Sequence, residues 1–263
     1  MRRLAIFAVA LYLGVLVLAP LAMLVSGALG DGPLAALRAI VQPDVLAAIG
    51  RTLLVAAVAV AMHAVFGTAL AWVLVRHRFR GRRVANALID LPFAVSPVVA
   101  GYMLILLFGR RGVLGPLVAA AGVRVVFAMP GIIFATVFVT LPLMVRELVP
   151  AIEALGRQAE EAAATLGATP TQTFVRVTAP ALRTAFVLGL VATFARALGE
   201  FGAVLVVGGG LQGSTETATL FIYRALEERE TVPAYSLALV LSGASVLLVL
   251  FMKRLKRSRG RHA

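Results

Sequence analysis

The chain has 263 residues, of which 61% are apolar and only 14% charged, whereas soluble domains sit near half and a quarter. That balance excludes an ordinary water-soluble globule and makes the bilayer the natural solvent. The absence of cysteine excludes disulfides and thiolate metal sites, and a formal charge of +13 leaves nucleic acid or an anionic membrane face as partners, to be separated by where the basic residues fall.

Leu4 to Val25 is uncharged and follows Arg2 and Arg3. It is long enough to be a retained span rather than the shorter core of a signal peptide. Gly30 to Gly50 is a breaker-rich loop with a short surface helix expected near Pro33 to Ile40. Thr52 to Val75 is the second span, and its one polar intruder is His63. With no acidic partner on the same face, His63 reads as a neutral imidazole packed between helices and bonded to a neighbour, not as a proton relay. The basic loop RHRFRGRR follows at Arg76 to Arg83. Val84 to Phe108 is the third span, interrupted by Pro92 and Pro97, and Val125 to Val145 is the fourth. A polar loop is expected from Arg146 to Arg183, a fifth span from Thr184 to Val207, and a polar loop from Gly208 to Thr231. The sixth span, Val232 to Met252, ends in a basic tail from Lys253 to Arg261. The fold class is all-α: a single membrane domain over residues 1–263 with six transmembrane helices and no soluble domain.

Alternate loops carry unequal charge. One set, with the amino terminus and the tail, holds 17 basic residues; the other holds seven, and Arg196 lies inside a span. This asymmetry puts both termini and the Arg146–Arg183 loop in the cytoplasm. It also accounts for the basic balance without nucleic acid, since no stacking aromatics interleave the basic runs.

The longest polar segment is Glu153 to Pro180, EALGRQAEEAAATLGATPTQTFVRVTAP. Its first part is expected to be one helix from Glu153 to Leu166, because Ala and Leu favour it. Glu160 and Glu161 suit the start of its final turn. Gly167 ends it in a left-handed conformation and Pro170 bars continuation. Ala162, Ala163 and Ala164 leave a smooth surface open to close approach. Glu161, Ala162 and Ala163, then Gly167, Val177 and Pro180, stand at spacings that resemble the EAA loop of ABC importer permeases. That resemblance implies a type I importer permease (MetI-like) fold, with the 153–180 stretch as a coupling loop docked on a cytoplasmic ATPase dimer. The residues it implicates are Glu160, Glu161, Ala162, Ala163, Gly167 and Pro180. The chain has no GxxxxGK[ST] phosphate loop, so it is not itself the enzyme, it takes no cofactor, and ATP and Mg belong to the partner.

Within the fifth span, Arg196 and Glu200 stand four apart and can pair on one helix face. Such charges face inward, either as a charged constriction on a pathway or as a structural ion pair. Gly199 and Gly202 permit close approach to the backbone. This stretch, with LPFAVSPVVAG at Leu91 to Gly101 and FATVFVTLPLMVRELVP at Phe134 to Pro150, resembles the sulfate and molybdate branch of ABC permeases, most of all the CysW-type sulfate permeases. The resemblance implies a subunit of an importer in the bacterial inner membrane for sulfate or thiosulfate, with molybdate or tungstate as the alternative. Its implied partners are a second permease, related or a copy of itself, and a periplasmic or lipid-anchored anion-binding protein. Ser96, beside Pro97, is the best hydroxyl for the anion, although a bond to its own helix is the expectation. A secondary anion transporter is the alternative of a different class. It requires an inverted repeat that is not evident and leaves the EAA-like spacing without a role.

Overall fold

A computed structural model describes residues 2–259, and all the regular elements among them are helical. In chain order these are α1 (Arg2–Leu29), α2 (Pro33–Ile40), α3 (Pro43–Met62), α4 (Thr68–Arg76), α5 (Arg82–Ala94), α6 (Pro97–Phe108) and α7 (Gly115–Ala120). They continue with α8 (Met129–Leu155), α9 (Gln158–Thr165), α10 (Pro170–Thr173), α11 (Ala179–Leu198), α12 (Gly202–Gly208), α13 (Ala218–Glu227) and α14 (Thr231–Arg259). A π turn at His63–Gly67 joins α3 to α4, and another at Phe174–Thr178 joins α10 to α11. The second has a local cause. Pro180, two residues into α11, has no N–H to donate, and a widened turn just before it absorbs the lost bond.

Among the described residues, five rods are long and apolar enough to cross a bilayer: Ile6–Leu29, Pro43–Arg76, Met129–Leu155, Pro170–Leu198 and Thr231–Lys256. The pair α5 and α6, bent by 118° at its break, makes a sixth if it counts as one span. α8 is the central post, packed against α3, α4, α5, α6, α11 and α12. Small residues let the helices close on it. A Cβ on Gly189 would stand 2.5 Å from the Met144 sulfur, and one on Gly67 would stand 3.0 Å from Met144 Cγ. The outside is apolar, with Leu, Val and Phe side chains exposed along α1, α5, α6 and α14, as a lipid-facing surface requires.

His63 behaves as its surroundings predicted. It is 1% exposed, and its Nε2 lies 2.9 Å from Thr140 Oγ1. Thr140 spends its own proton on the Thr136 carbonyl at 2.7 Å, so it accepts and the imidazole Nε2–H donates.

Several expected boundaries are corrected. The helix expected over Glu153 to Leu166 is two helices, because α8 runs on to Leu155 and stops at Gly156, whose φ of 63° and ψ of −153° suit glycine alone. The expected polar loop from Arg146 to Arg183 is therefore largely helical, and the fifth rod begins at Pro170, not Thr184. That rod ends at Leu198 rather than Val207, and α12 is a separate helix. The third span is sharply broken at Val95–Ser96, since a residue before proline leaves the helical region. The loop from Gly208 to Thr231 contains α13, an amphipathic helix. The tail up to Arg259 continues α14, and its expected end at Arg261 lies outside the described residues.

Candidate functional site

Two constellations carry the chemistry singled out in the sequence. The first is the corner formed by α9 and α10. α9 opens with Glu160 and Glu161 in its first turn and closes on Gly167 at φ 83°. The Gly167 N–H reaches the Ala164 carbonyl at 3.0 Å and the Ala168 N–H reaches Ala163 at 3.0 Å, the paired bonds of a Schellman stop. Two residues later Thr169 caps α10 in a capping box with Gln172, with Pro170 at the first helical position.

The two glutamates do different things. Glu160 Oε1 accepts from Arg76 Nη2 at 2.8 Å and from the Thr178 hydroxyl at 2.9 Å. Arg76 in turn lies over the Trp72 ring, 5.1 Å from its centroid. Glu160 thus pins α9 to the end of α4 and to the π turn before α11. Glu161 and Ala162 are exposed, Ala163 is half-buried, and Pro180 is exposed on the α11 side. Leu166, the residue before the stop, is 88% exposed and forms an apolar knob at the end of α9. Between α9 and the π turn a groove of about 270 Å³ is lined by Trp72, Ala164, Pro170 and Phe174 together with the polar Glu160 and Thr178.

Sequence reasoning did not find Arg76, Trp72, Thr178 or Leu166. Arg76 and Trp72 are more than 80 residues distant from Glu160 along the chain, and no local pattern joins them. The Thr169–Gln172 capping box was legible from T-P-T-Q and sharpens the corner.

The second constellation lies where two broken helices meet. α5 and α6 part at Val95–Ser96, and α11 and α12 part at Gly199–Phe201. The two breaks touch. A Cβ on Gly202 would stand 3.2 Å from Pro97 Cβ, and one on Gly101 would stand 2.7 Å from the Ala203 carbonyl oxygen. Gly202 therefore admits a neighbouring helix. Gly199 has no crowding neighbour beyond its own turn.

Arg196 sits in the last turn of α11, where a cation suits the helix dipole. Glu200 lies past the helix end, yet Arg196 Nη1 comes within 2.7 Å of its Oε2. The contact is an ion pair by distance, but it is not aligned as a hydrogen bond. The glutamate side chain is 2% exposed and the arginine 38%. Glu200 Oε1 also accepts from the Ala203 N–H at 3.3 Å, and its carbonyl accepts from the Thr219 hydroxyl of α13 at 2.7 Å. Ser96 is exposed and its hydroxyl does not cap α6, so the expected bond to its own helix is not made. Irregular backbone among apolar helices is tolerated where protein covers it or where it lines a cavity, and a cavity of about 240 Å³ beside Arg196 lies at this break.

Further contacts sort the charges to opposite ends of the bundle. At the end with the corner, Arg146 grips Asp90 with both nitrogens, Arg82 lies 3.9 Å from Glu153, and Lys256 reaches Glu147 at 2.8 Å. At the other end Arg224 Nε donates to buried Glu216 at 2.6 Å, and Arg51 donates to the Glu216 carbonyl at 2.7 Å. The Glu216 carboxylate holds the Arg224 guanidinium above its ordinary pKa.

Residues 63–261 match the family described as binding-protein-dependent transport system inner membrane component. The sulfate transport system permease protein CysW of Synechococcus elongatus is 41% identical over 96% of this chain and 88% of its own length. CysW of Escherichia coli K12 is 40% identical over 93% and 84%, and CysT of Salmonella typhimurium is 41% identical over 84% and 80%. The crystal structure of a bacterial ABC transporter that imports alginate has a chain that superposes with a TM-score of 0.78. The match covers 97% of this chain and 94% of that one at 18% identity, which speaks to the fold alone. With relatives of this identity along nearly their whole length, this multi-pass chain belongs to the inner-membrane permease family of binding-protein-dependent ABC importers.

Proposed function

We propose that this chain is one membrane half of an ATP-driven importer for sulfate or thiosulfate. The observation that carries the substrate is the set of relatives near 40% identity, CysW and CysT alike, whose names are sulfate transport permeases. On this reading two permeases form the pathway, the second a related chain or a copy, and a periplasmic or lipid-anchored protein delivers the anion. A solved relative in fold is a complex with a substrate-bound periplasmic protein, which supports a partner of that kind. A cytoplasmic ATPase dimer holds ATP and Mg and supplies the work, so the assembled complex, not this chain, is the hydrolase.

The excess of basic residues at the end with the corner supports cytoplasmic termini. The α9–α10 corner is then the coupling surface. Glu160 holds it rigid against α4 and the π turn, while Glu161, Ala162, Leu166 and Gly167 face the ATPase. Rigidity matters because a corner that yields under load transmits no displacement to α8 and α11. The pathway passes the double break, with Ser96, Arg196, Gly199, Glu200 and Gly202 around it.

The test is labelled sulfate uptake in a strain lacking its own sulfate permease, complemented with this chain and its partners. Uptake that excess thiosulfate suppresses and molybdate does not supports the reading. Uptake abolished by trace molybdate, or absent for sulfate, transfers the chain to the molybdate and tungstate alternative.

A further inference from the structure

The cavity at the double break has an unusual lining. Pro92, Phe93, Val95 and Pro97 of the α5–α6 break and Val139 and Leu143 of α8 make it apolar, and among the described residues Arg196 is its one charged lining residue. A guanidinium alone in such a place would hold a dianion too tightly to release it, because charge attraction strengthens as water is excluded. Glu200 prevents that. Its carboxylate lies 2.7 Å from Arg196 Nη1. It does not share the cavity, since it is 2% exposed and its other oxygen accepts from the Ala203 N–H. The Thr219 hydroxyl fixes its carbonyl from α13. The counter-charge is therefore buried and tethered through both its side chain and its backbone. The arginine is 38% exposed, and only its Nη1 meets the carboxylate of Glu200 among the described residues.

We propose that Arg196 is a passing contact for a tetrahedral dianion and that Glu200 is a built-in competitor that keeps the contact weak. This deepens the sulfate reading and rests on it. Transport requires a site favourable enough to enter and weak enough to leave, and a fixed carboxylate on one edge of the guanidinium supplies the second half. The arrangement differs from a pair that merely fixes helix rotation. For such a pair both members would be enclosed, and the neutral pair of amides would serve as well.

The experiment uses the whole complex in lipid nanodiscs for retention and in proteoliposomes for uptake, with radiolabelled sulfate as the probe. Glu200→Gln is expected to raise sulfate retained through gel filtration about tenfold, the effect of removing one adjacent counter-charge from the guanidinium, and to slow uptake. Arg196→Gln is expected to abolish both. The double variant R196Q/E200Q leaves no unpaired charge; it is expected to assemble with the ATPase as the parent does and to carry no sulfate. If Glu200→Gln alone does not assemble, the double variant carries the test. A double variant that transports at the parental rate overturns the proposal, as does a well-assembled Glu200→Gln complex that retains no more sulfate than the parent. A parent complex that carries no sulfate overturns the sulfate reading and this proposal together, whereas parental transport with unchanged variants overturns this proposal alone.

Discussion

The corner at α9–α10 and the double break at α5–α6 and α11–α12 use the same device in opposite surroundings. Each has an acid fixed within the fold and a neighbour left accessible. At the corner Glu160 is held by Arg76 and Thr178 while Glu161 and Leu166 stand in the open. At the break Glu200 is held by Ala203 and Arg196, while part of Arg196 remains accessible at the cavity. The difference lies in packing. No atom lies within 4 Å of where a Cβ on Gly167 would be, whereas the Ala203 carbonyl oxygen is 2.7 Å from one on Gly101. The turn at Gly167 leaves space around its backbone, whereas α6 and α12 meet at Gly101 with none to spare.

The largest expected effect breaks the crowded region. Gly101→Leu forces α6 from α12 and is expected to cost about 3 kcal/mol, read as loss of folded protein and a lowered Tm in detergent. Gly167→Leu, strained only by its left-handed φ, is expected to cost about 1–2 kcal/mol and to leave the permease folded. Equal losses at the two glycines would erase the contrast. Next comes the corner's own division of labour. Glu160→Gln is expected to destabilise by about 1–3 kcal/mol, because it weakens a charged hydrogen bond to a mostly buried arginine. Glu161→Gln is expected to stay within about 0.5 kcal/mol. Thermal unfolding of both variants side by side checks this, and matching Tm values would refute the separate roles. Smaller again is Leu166→Ser, which should leave Tm unchanged and reduce co-purification of the ATPase about tenfold, the value of one buried leucine. Undiminished co-purification would remove Leu166 from the coupling surface. Smallest is His63→Gln, which keeps a donor for Thr140 and is expected to leave uptake within about twofold of the parent. A steep loss there, together with the disappearance of a pH dependence that the parent shows, would mean that the imidazole moves protons after all.

The helical membrane fold was legible in composition, because hydropathy reports which stretches lie away from water. Backbone continuity was not. Polarity rises at Arg146, yet α8 runs on to Leu155, since a helix end can leave the bilayer without ending. The stop at Gly156 depends on a φ and ψ that no neighbouring residue announces. Gly167 was legible because Pro170 follows and an alanine run precedes it. At the candidate sites, spacing found the Arg196–Glu200 pair, whereas Glu160 and Glu161, expected in the last turn of one long helix, open the separate helix α9. What lay across the fold was missed. Arg76 reaches Glu160 and Thr219 reaches Glu200 only because α4 and α13 are packed there, and a linear pattern carries no trace of that.

The chain has no cysteine, so one introduced at position 166 is its only thiol, and Leu166→Cys gives the most direct test of the account. A membrane-impermeant maleimide is expected to label it in inverted membrane vesicles and not in right-side-out ones. Adding the ATPase partner should protect it, and a short bifunctional reagent should link the two chains. Labelling from the periplasmic side, or full labelling with no cross-link in the assembled complex, would contradict the claim that this corner is where the motor grips the membrane helices.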